Sequence, residues 1–282
     1  MTIDNILRTA AEQSAPRMAE GDYRQDGLLY CGQCHTPKEC RVDWGSGEVV
    51  VGCVCHCENQ AHEAKKAAYR AREYALEVDR LRVQGIQDRR IRKYTFQAAT
   101  MTPLLEKCRA YVDSWEEMCQ DNCGLLLWGG VGTGKTYAAA CIANALIDRH
   151  IPALVTSFPR ILHAGFDKAQ LIDEMSRFPL LVVDDLGVER ESSYALETVY
   201  MVVDERYKAG LPLIVTTNLT VEELRNPKNK ALWRIYDRVL ELCAPVLCMG
   251  DSRRAGRAEE TVRRVGAMFD RQERERWDKG GD

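Results

Sequence analysis

The chain has 282 residues and a net charge of −3, and 45% of its residues are hydrophobic while 29% are charged. This length allows one sizeable core plus a smaller module, and the balance is that of an ordinary globular protein. No segment holds the roughly 20 consecutive apolar residues that a membrane span needs, and the polar N-terminus has no signal-peptide core. We therefore expect a cytoplasmic protein.

A cluster of cysteines is the first distinctive feature along the chain. Six of the twelve cysteines fall between Cys31 and Cys57, and in a reducing cytosol this favours a metal over disulfides. Cys31 and Cys34 have the spacing of the first half of a tetrahedral zinc site. The second half must come from Cys53, Cys55 and Cys57, and the sequence leaves open which two, with Cys55 and Cys57 favoured.

Weaker candidate ligands in the same module are Cys40, His35 and His56. The competing interpretations are a redox pair and plain buried thiols, but no thioredoxin-like strand and helix surround the cysteines.

Trp44–Gly47 is expected to form a turn and Glu48–Val51 a returning strand. A module of about 30 residues cannot build an adequate core alone, so the metal would hold it folded.

A long helix is predicted next, over Ala61–Gly85, because alanines and larger apolar residues recur at helical spacing without an internal proline or glycine. From His62 to Lys93, ten lysines and arginines face five acidic residues, which gives a local charge of about +5. The segment Ile86–Phe96 is then a basic connector.

The most specific motif is a phosphate-binding loop. All fixed positions of G-x-x-x-x-G-K-[ST] are matched, between a predicted strand and a predicted helix. In such a loop, successive backbone N–H groups converge on phosphates at a helix N-terminus. Lys135 would reach the β- and γ-phosphates and the Thr136 hydroxyl would hold Mg²⁺. The expected ATP-binding residues are Gly129, Gly130, Val131, Gly132, Thr133, Gly134, Lys135, Thr136 and Tyr137.

Alternating strands and helices follow, as in a parallel sheet covered on both faces by helices, so we predict an α/β fold. The candidate strands are Gly124–Trp128, Ala153–Ser157, Leu180–Asp184, Leu213–Thr217 and Val246–Met249. The candidate helices are Lys135–His150, Ser192–Ala209 and Ala231–Leu242. The charged tail, residues 259–282, is expected to be a frayed helix or disordered.

Polar residues end two of these strands. Asp184 would hold the Mg²⁺ shell next to Thr136, and Asp185 would polarise the attacking water. Asn218, after the next strand, would point at the γ-phosphate. An Asp pair and a Thr-Asn pair also occur at ordinary turns, but their order after the phosphate-binding loop favours the functional interpretation.

Arginines near the C-terminus complete the candidate site. Arg234 and Arg238 lie four residues apart on a predicted helix, either as a surface salt-bridge stripe or as a source of charge for the nucleotide of a neighbouring subunit. Arg254 follows the last predicted strand and could reach the nucleotide of its own subunit.

The order of these segments resembles the DnaC/DnaI/IstB-like branch of AAA+ ATPases over Phe96–Arg257. The resemblance is carried by Leu125–Thr136, Ala140–Leu146, Val182–Arg190, Thr216–Leu219 and Arg234–Arg238. It implies an AAA+ type parallel sheet without a separate helical lid. A small zinc-binding module and a helical linker precede this sheet.

By the same resemblance, residues 129–136 are Walker A, Asp184 and Asp185 are Walker B, and Asn218 is sensor 1. Arg238 would be the arginine finger and Arg254 the sensor 2 arginine. The expected domains are a zinc module over 1–60, a basic linker over 61–95, an ATPase domain over 96–258 and a tail over 259–282.

The resemblance further implies an ATPase that self-associates through its ATP interface on single-stranded DNA. Its members load a DnaB-type replicative helicase, and the IstB members assist a transposase, although these usually lack an N-terminal cysteine module. A zinc-bearing DNA-binding protein that uses ATP only as a switch is the other alternative. Candidate DNA contacts are Thr156, Ser157, Arg160 and Lys168, for which a merely solvated surface is as good an interpretation.

Overall fold

The computed structural model describes residues 14–43, 47–163, 168–187, 193–227, 229–250 and 259–271. The chain divides into two compact units, residues 1–76 and 77–282. Within the described ranges, no helix combines the length and the apolar character that crossing a membrane requires.

The first unit contains two antiparallel hairpins. The first joins β1 (Tyr23–Gln25) to β2 (Leu28–Tyr30), and the second joins β3 (Glu39–Asp43) to β4 (Glu48–Gly52). Asp26 and Gly27 connect β1 to β2 with positive φ angles of 52° and 79°, which is the backbone of a tight two-residue hairpin turn. The turn predicted at residues 44–47 lies, apart from Gly47, outside the described residues.

Buried charges hold the two hairpins together. The Lys38 ammonium donates to Asp22 Oδ2 at 2.7 Å, and Asp22 Oδ1 accepts from the Gly32 backbone N–H at 3.0 Å. The Glu39 carboxylate accepts from the Leu29 N–H at 2.9 Å and pairs with Arg24 at 3.2 Å. Each buried charged group therefore has an opposite charge or a backbone donor beside it.

The long helix α1 runs over His56–Gly85, so it begins five residues before the predicted start. The boundary between the two units falls within it. At its C-terminal end, Gly85 packs so closely that an added Cβ would lie 1.9 Å from Ala153 O. Ile86, directly after the helix, forms a parallel bridge with Val155.

The second unit is built on a five-stranded parallel sheet in the order β6-β7-β8-β5-β9. Its strands are β5 (Gly124–Trp128), β6 (Ala153–Ser157), β7 (Leu180–Leu186), β8 (Leu213–Thr217) and β9 (Cys243–Leu247). The predicted α/β class with a parallel sheet flanked by helices is confirmed. All carboxyl ends of the strands lie on one edge, where ligands of such sheets bind.

Helices cover both faces of this sheet. They are α2 (Pro103–Asp113), α3 (Trp115–Gln120), α4 (Lys135–Asp148), α5 (Phe158–His163), α6 (Lys168–Ser176), α7 (Ser193–Ala209), α8 (Val221–Arg225) and α9 (Lys230–Leu242). Residues 259–271 are also helical. One buried cluster joins α2 and α4 to the sheet, and a second joins α6, α7 and α9 to its other face.

The connector between α1 and α2 is tied to α4 by one buried side chain. Asn144, with no exposed surface, donates from Nδ2 to Ile91 O at 2.9 Å and to Tyr94 O at 3.0 Å. Its Oδ1 accepts from Arg82 Nε at 3.1 Å, and Arg82 also pairs with Asp148. This hydrogen-bond network fixes the connector to the helix that starts at the phosphate-binding loop.

Two sequence predictions of elements were incomplete. The last strand begins at Cys243 and ends at Leu247, whereas Val246–Met249 was predicted, because Pro245 lies inside it. An outer strand tolerates proline, since one side of its backbone needs no partner strand. The helices α2, α3, α5, α6 and α8 were not predicted.

Candidate nucleotide site and cysteine cluster

The phosphate-binding loop lies at the carboxyl end of β5, between the sheet and α4. Gly129 has φ 139°, and a Cβ there would lie 2.5 Å from Cys248 O. Gly134 has φ 95° and forms the N-cap of α4. These two positions require glycine, because other residues rarely adopt such angles. The loop therefore ends at a helix N-terminus, the arrangement that binds phosphate.

Lys135 and Asn218 are brought together at this loop. Lys135 is buried, with 6% of the residue exposed. Its ammonium donates to Gly129 O at 2.9 Å, to Gly130 O at 2.7 Å and to Asn218 Oδ1 at 2.8 Å. The positive charge thus lies within the concave side of the loop. It can exchange these oxygens for the oxygens of a phosphate.

Asp184 and Thr136 form the second contact of the site. The Thr136 hydroxyl donates to Asp184 Oδ1 at 2.9 Å, and Thr216 Oγ1 donates to the same oxygen. Burial raises the pKa of Asp184 above its usual range. A hydroxyl and a carboxylate oxygen at one point are ligands that Mg²⁺ accepts, so these residues fit the predicted magnesium site.

Asp185 has an unusual backbone. Its φ is 62°, and the register between β7 and β8 shifts between Val183 and Leu186. The Asp185 N–H donates to Thr216 Oγ1 at 3.0 Å. A non-glycine residue in the left-handed region at a strand bulge is held there by its surroundings. The Thr216 hydroxyl thus contacts both the Asp184 carboxylate and the Asp185 backbone, although no sequence motif marks this threonine as a site residue.

Tyr137 lies on the first turn of α4 beside a residue of the connector. Its ring centroid is 4.7 Å from that of Tyr94, and its hydroxyl donates to Thr95 O at 3.4 Å. Tyr94 and Thr95 were not selected from the sequence. No motif marks them, because their proximity to the loop depends on how the connector folds.

The predicted arginines differ in their surroundings. Arg234 is exposed on α9, whereas the Arg238 side chain is 28% exposed and forms an ion pair with Asp204 of α7. Arg254 lies outside the described residues. Arg238, which was expected to contact the nucleotide of a neighbouring subunit, is thus paired with a carboxylate of its own chain.

The candidate DNA-contacting residues lie around the end of β6. Thr156 and Ser157 are half-buried there, and Arg160 is exposed on α5. The Ser157 hydroxyl accepts from the Arg160 N–H at 3.4 Å. Lys168 begins α6, but its side chain lies outside the described residues.

In the first unit, four cysteines converge. The Sγ atoms of Cys31, Cys34, Cys55 and Cys57 all lie within 4.8 Å of one another. Of the three cysteines left open by the sequence, Cys55 and Cys57 are therefore in the cluster. Cys53 is outside it and donates from Sγ to Pro37 O at 3.4 Å.

The other candidate ligands are not part of this cluster. Cys40 lies in β3, opposite Val51 of β4. The His35 ring lies 5.8 Å from the Tyr23 ring, and the His56 backbone N–H donates to Thr36 Oγ1 at 2.9 Å. Among the residues that the structure describes, the convergent donor set is thus four sulfurs.

The electrostatics of the cluster favour a cation. A hydrogen bond with Thr36 lowers the pKa of Cys34 to about 5. Hydrogen bonds to the sulfurs of Cys55 and Cys31 raise the pKa of Cys57 to about 12. Four adjacent thiols cannot all ionise without a positive charge between them, and four cysteine sulfurs are a standard zinc ligand set. The cluster is compatible with zinc.

Comparison with known proteins shows similarity to ATP-binding proteins over most of the chain. The family model described as IstB-like ATP binding protein matches residues 61–261. The replicative helicase loader DnaC of Escherichia coli (strain K12) is 32% identical over 143 residues, 48% of this chain and 56% of DnaC. The replicative helicase loader DnaI of Bacillus subtilis (strain 168) is 26% identical over 147 residues, 46% of this chain and 47% of DnaI. The chain therefore spans about half the length of these two relatives.

A third relative is similar over most of its length. The phage-like element PBSX protein XkdC of Bacillus subtilis (strain 168) is 25% identical over 264 residues, 87% of this chain and 92% of XkdC. Its matched region thus extends well beyond the part shared with the two loaders.

Solved structures show the same fold. The crystal structure of DnaI matches with a TM-score of 0.51 and 24% identity, covering 59% of this chain and 93% of that one. The crystal structure of the DnaC helicase loader matches with a TM-score of 0.50 and 19% identity, covering 57% and 100%. The predicted AAA+ type fold is confirmed, and AAA+ proteins of this kind are typically ATPases. Because the matched family region is more than half of the chain, the chain belongs to the IstB-like ATP-binding protein family.

Proposed function

We propose that the chain is an ATP-dependent loader that delivers a DnaB-type replicative helicase onto single-stranded DNA during replication initiation. The observation that carries this proposal is the convergence of Lys135, Asn218, Thr136 and Asp184 at the carboxyl ends of β5, β7 and β8. The similarity to DnaC and DnaI, both named as replicative helicase loaders, supports the choice of partner.

Each side chain of the nucleotide site has a proposed role in hydrolysis. The Lys135 ammonium binds the β- and γ-phosphate oxygens in place of the carbonyls that it contacts in the free protein. Thr136 and Asp184 hold Mg²⁺, which neutralises charge on the phosphates when it is bound. Asp185 accepts a proton from the attacking water and Asn218 orients that water.

Self-association would complete the site. Arg238, or its neighbour Arg234 one turn earlier on α9, contacts the triphosphate of the next subunit and stabilises charge on the transferring group. Arg254 contacts the nucleotide of its own subunit. Arg234→Ala and Arg238→Ala, each mixed with Lys135→Ala subunits, identify which arginine acts in trans, because only that pair complements in DNA-stimulated turnover.

The cysteine cluster would hold one zinc ion and fold the first unit. We propose that this unit docks onto the helicase, while the exposed, basic part of α1 serves as a spacer or a DNA contact. Thr156, Ser157, Arg160 and Lys168 are the proposed contacts of the ATPase unit with the DNA backbone. Such contacts weaken steeply with added salt.

The direct test is a helicase-loading assay with the helicase of the organism that encodes the chain. A circular single strand with an annealed oligonucleotide is incubated with helicase and this protein, and oligonucleotide displacement is measured. We expect displacement to depend on this protein and on ATP, and Lys135→Ala to abolish it. Equal displacement with and without this protein would contradict the proposal.

The second candidate function is that of an IstB-like helper of a transposase, since the chain belongs to the IstB-like ATP-binding protein family. A pull-down with the full chain separates the two, since a loader retains the helicase and a transposition helper retains the transposase. Retention of neither, together with ATP-dependent DNA binding that needs no hydrolysis, would instead support a zinc-bearing DNA-binding switch.

A further inference from the structure

The guanidinium of Arg238 is enclosed by α7 of its own chain. Its Cζ lies 5.0 Å from the ring centroid of Tyr200 and 5.3 Å from that of Tyr207. It forms an ion pair with Asp204, whose side chain is only 14% exposed. Three side chains of α7 therefore surround the Arg238 guanidinium. The proposed function requires this same guanidinium to contact the nucleotide of a neighbouring subunit.

This enclosure competes with any role in trans. A carboxylate shielded from water and two aromatic faces are strong partners for a guanidinium. Arg238 therefore leaves these contacts only if its interaction with a triphosphate on the next subunit is more favourable than its interaction with Asp204 and the two rings. The γ-phosphate supplies that charge, whereas a diphosphate lacks it.

The departure of Arg238 would not leave Asp204 unpaired. The Lys208 ammonium lies 2.8 Å from Asp204 Oδ2. The ring of Tyr207 is also fixed independently, because its hydroxyl donates to Glu241 Oε1 at 3.1 Å. The enclosure can thus open without the cost of an uncompensated, partly buried charge.

We propose that Asp204 is a positioning residue that holds Arg238 within its own subunit until the triphosphate of a neighbouring copy takes its place. The inference rests on the proposed function, since it assumes that Arg238 acts in trans. It adds a restraint on that site: Asp204 opposes the transfer of Arg238 to the nucleotide of the next subunit.

Asp204→Asn in the full chain tests the inference. Mass photometry with an ATP analogue and an oligonucleotide gives the protein concentration at half-assembly, which we expect to fall about threefold to fivefold, as for loss of one partly exposed ion pair. Turnover of the fully assembled protein and nucleotide affinity of the single subunit should stay at wild-type values, and Asp204→Glu should restore the wild-type midpoint. Lys208→Gln is the matched control, because it removes the other partner of Asp204 and leaves Arg238 enclosed.

An unchanged or higher midpoint for Asp204→Asn would overturn the inference. If Asp204→Asn does not fold, Tyr207→Leu weakens the same enclosure and must lower the midpoint instead. Failure of the wild-type protein to assemble would overturn the proposed function and this inference together. Wild-type assembly with an unshifted Asp204→Asn would overturn the inference alone.

Discussion

Replacing Asn144 with leucine removes the hydrogen bonds that tie the connector to α4 while keeping the branching and the number of side-chain heavy atoms. Tyr94 O loses the amide that it accepts from, whereas Ile91 O keeps a bond from the Tyr94 N–H at 3.0 Å. Arg82 loses one acceptor but retains Asp148.

The size of the effect follows from these contacts. A buried carbonyl left without a donor costs about 1–3 kcal/mol, and each further lost bond about 1 kcal/mol. With one carbonyl unpaired and two further bonds lost, we expect Asn144→Leu to lower the free energy of unfolding of the second unit by about 3–5 kcal/mol. This lowers its melting temperature by roughly 6–20 °C for a domain of this size.

Differential scanning calorimetry of the full chain measures this, with the transition of the second unit resolved from that of the first. Asn226→Leu is the matched control, since Asn226 is exposed and its amide donates only to Glu222 O within α8 among its described bonds. Its effect should stay within about 0.5 kcal/mol. Equal melting temperatures for the two variants would refute the reasoning.

Three further predictions concern the two sites. Because burial raises the pKa of Asp184, its ionised form destabilises the free protein above that raised pKa, and the cost vanishes once the pH falls below the ordinary aspartate value. Asp184→Asn should therefore raise the melting temperature at neutral pH, yet abolish the stabilisation of the protein by Mg-ATP. The exposed Asp173→Asn is the control and should have neither effect. A lower melting temperature for Asp184→Asn would contradict this prediction. Cys55→Ser should reduce bound zinc far below one per chain in metal analysis while Cys53→Ser leaves it unchanged, and equal loss in both would refute the cluster as the site. Lys135→Ala should abolish ATP binding in calorimetry, and retained affinity would exclude the loop as the nucleotide site.

Strands dominated by branched apolar residues and the glycine-rich loop could be predicted from the sequence. The first residue was predicted correctly for four of the five strands of the parallel sheet, because buried parallel strands are short apolar runs with clear ends. Strand β9 was misplaced because Pro245 is allowed only by its outer position, which is a property of the sheet order. The hairpin at Asp26-Gly27 had a usable signal, since this dipeptide favours that turn.

The contacts between distant residues could not be predicted. Cys53 was not separable from Cys55 by spacing, because its exclusion depends on the β3–β4 ladder, which continues through the Cys53 N–H to Lys38 O at 2.8 Å. The hydrogen bonds of Thr216 to Asp184 and Asp185 depend on the pairing of β8 with β7, which the sequence does not reveal. The enclosure of Arg238 likewise required the packing of α7 on α9.

The attachment of Gly85 and Ile86 to β6 has a consequence for protein engineering. β6 is an outer strand, and Ile86, with no exposed surface, covers part of its free edge. Unprotected edges recruit other chains into intermolecular sheets. An ATPase fragment trimmed to begin after Ile86 would uncover this edge and remove Val78 from the core, so it should aggregate, whereas a fragment that begins before Glu77 should stay dispersed.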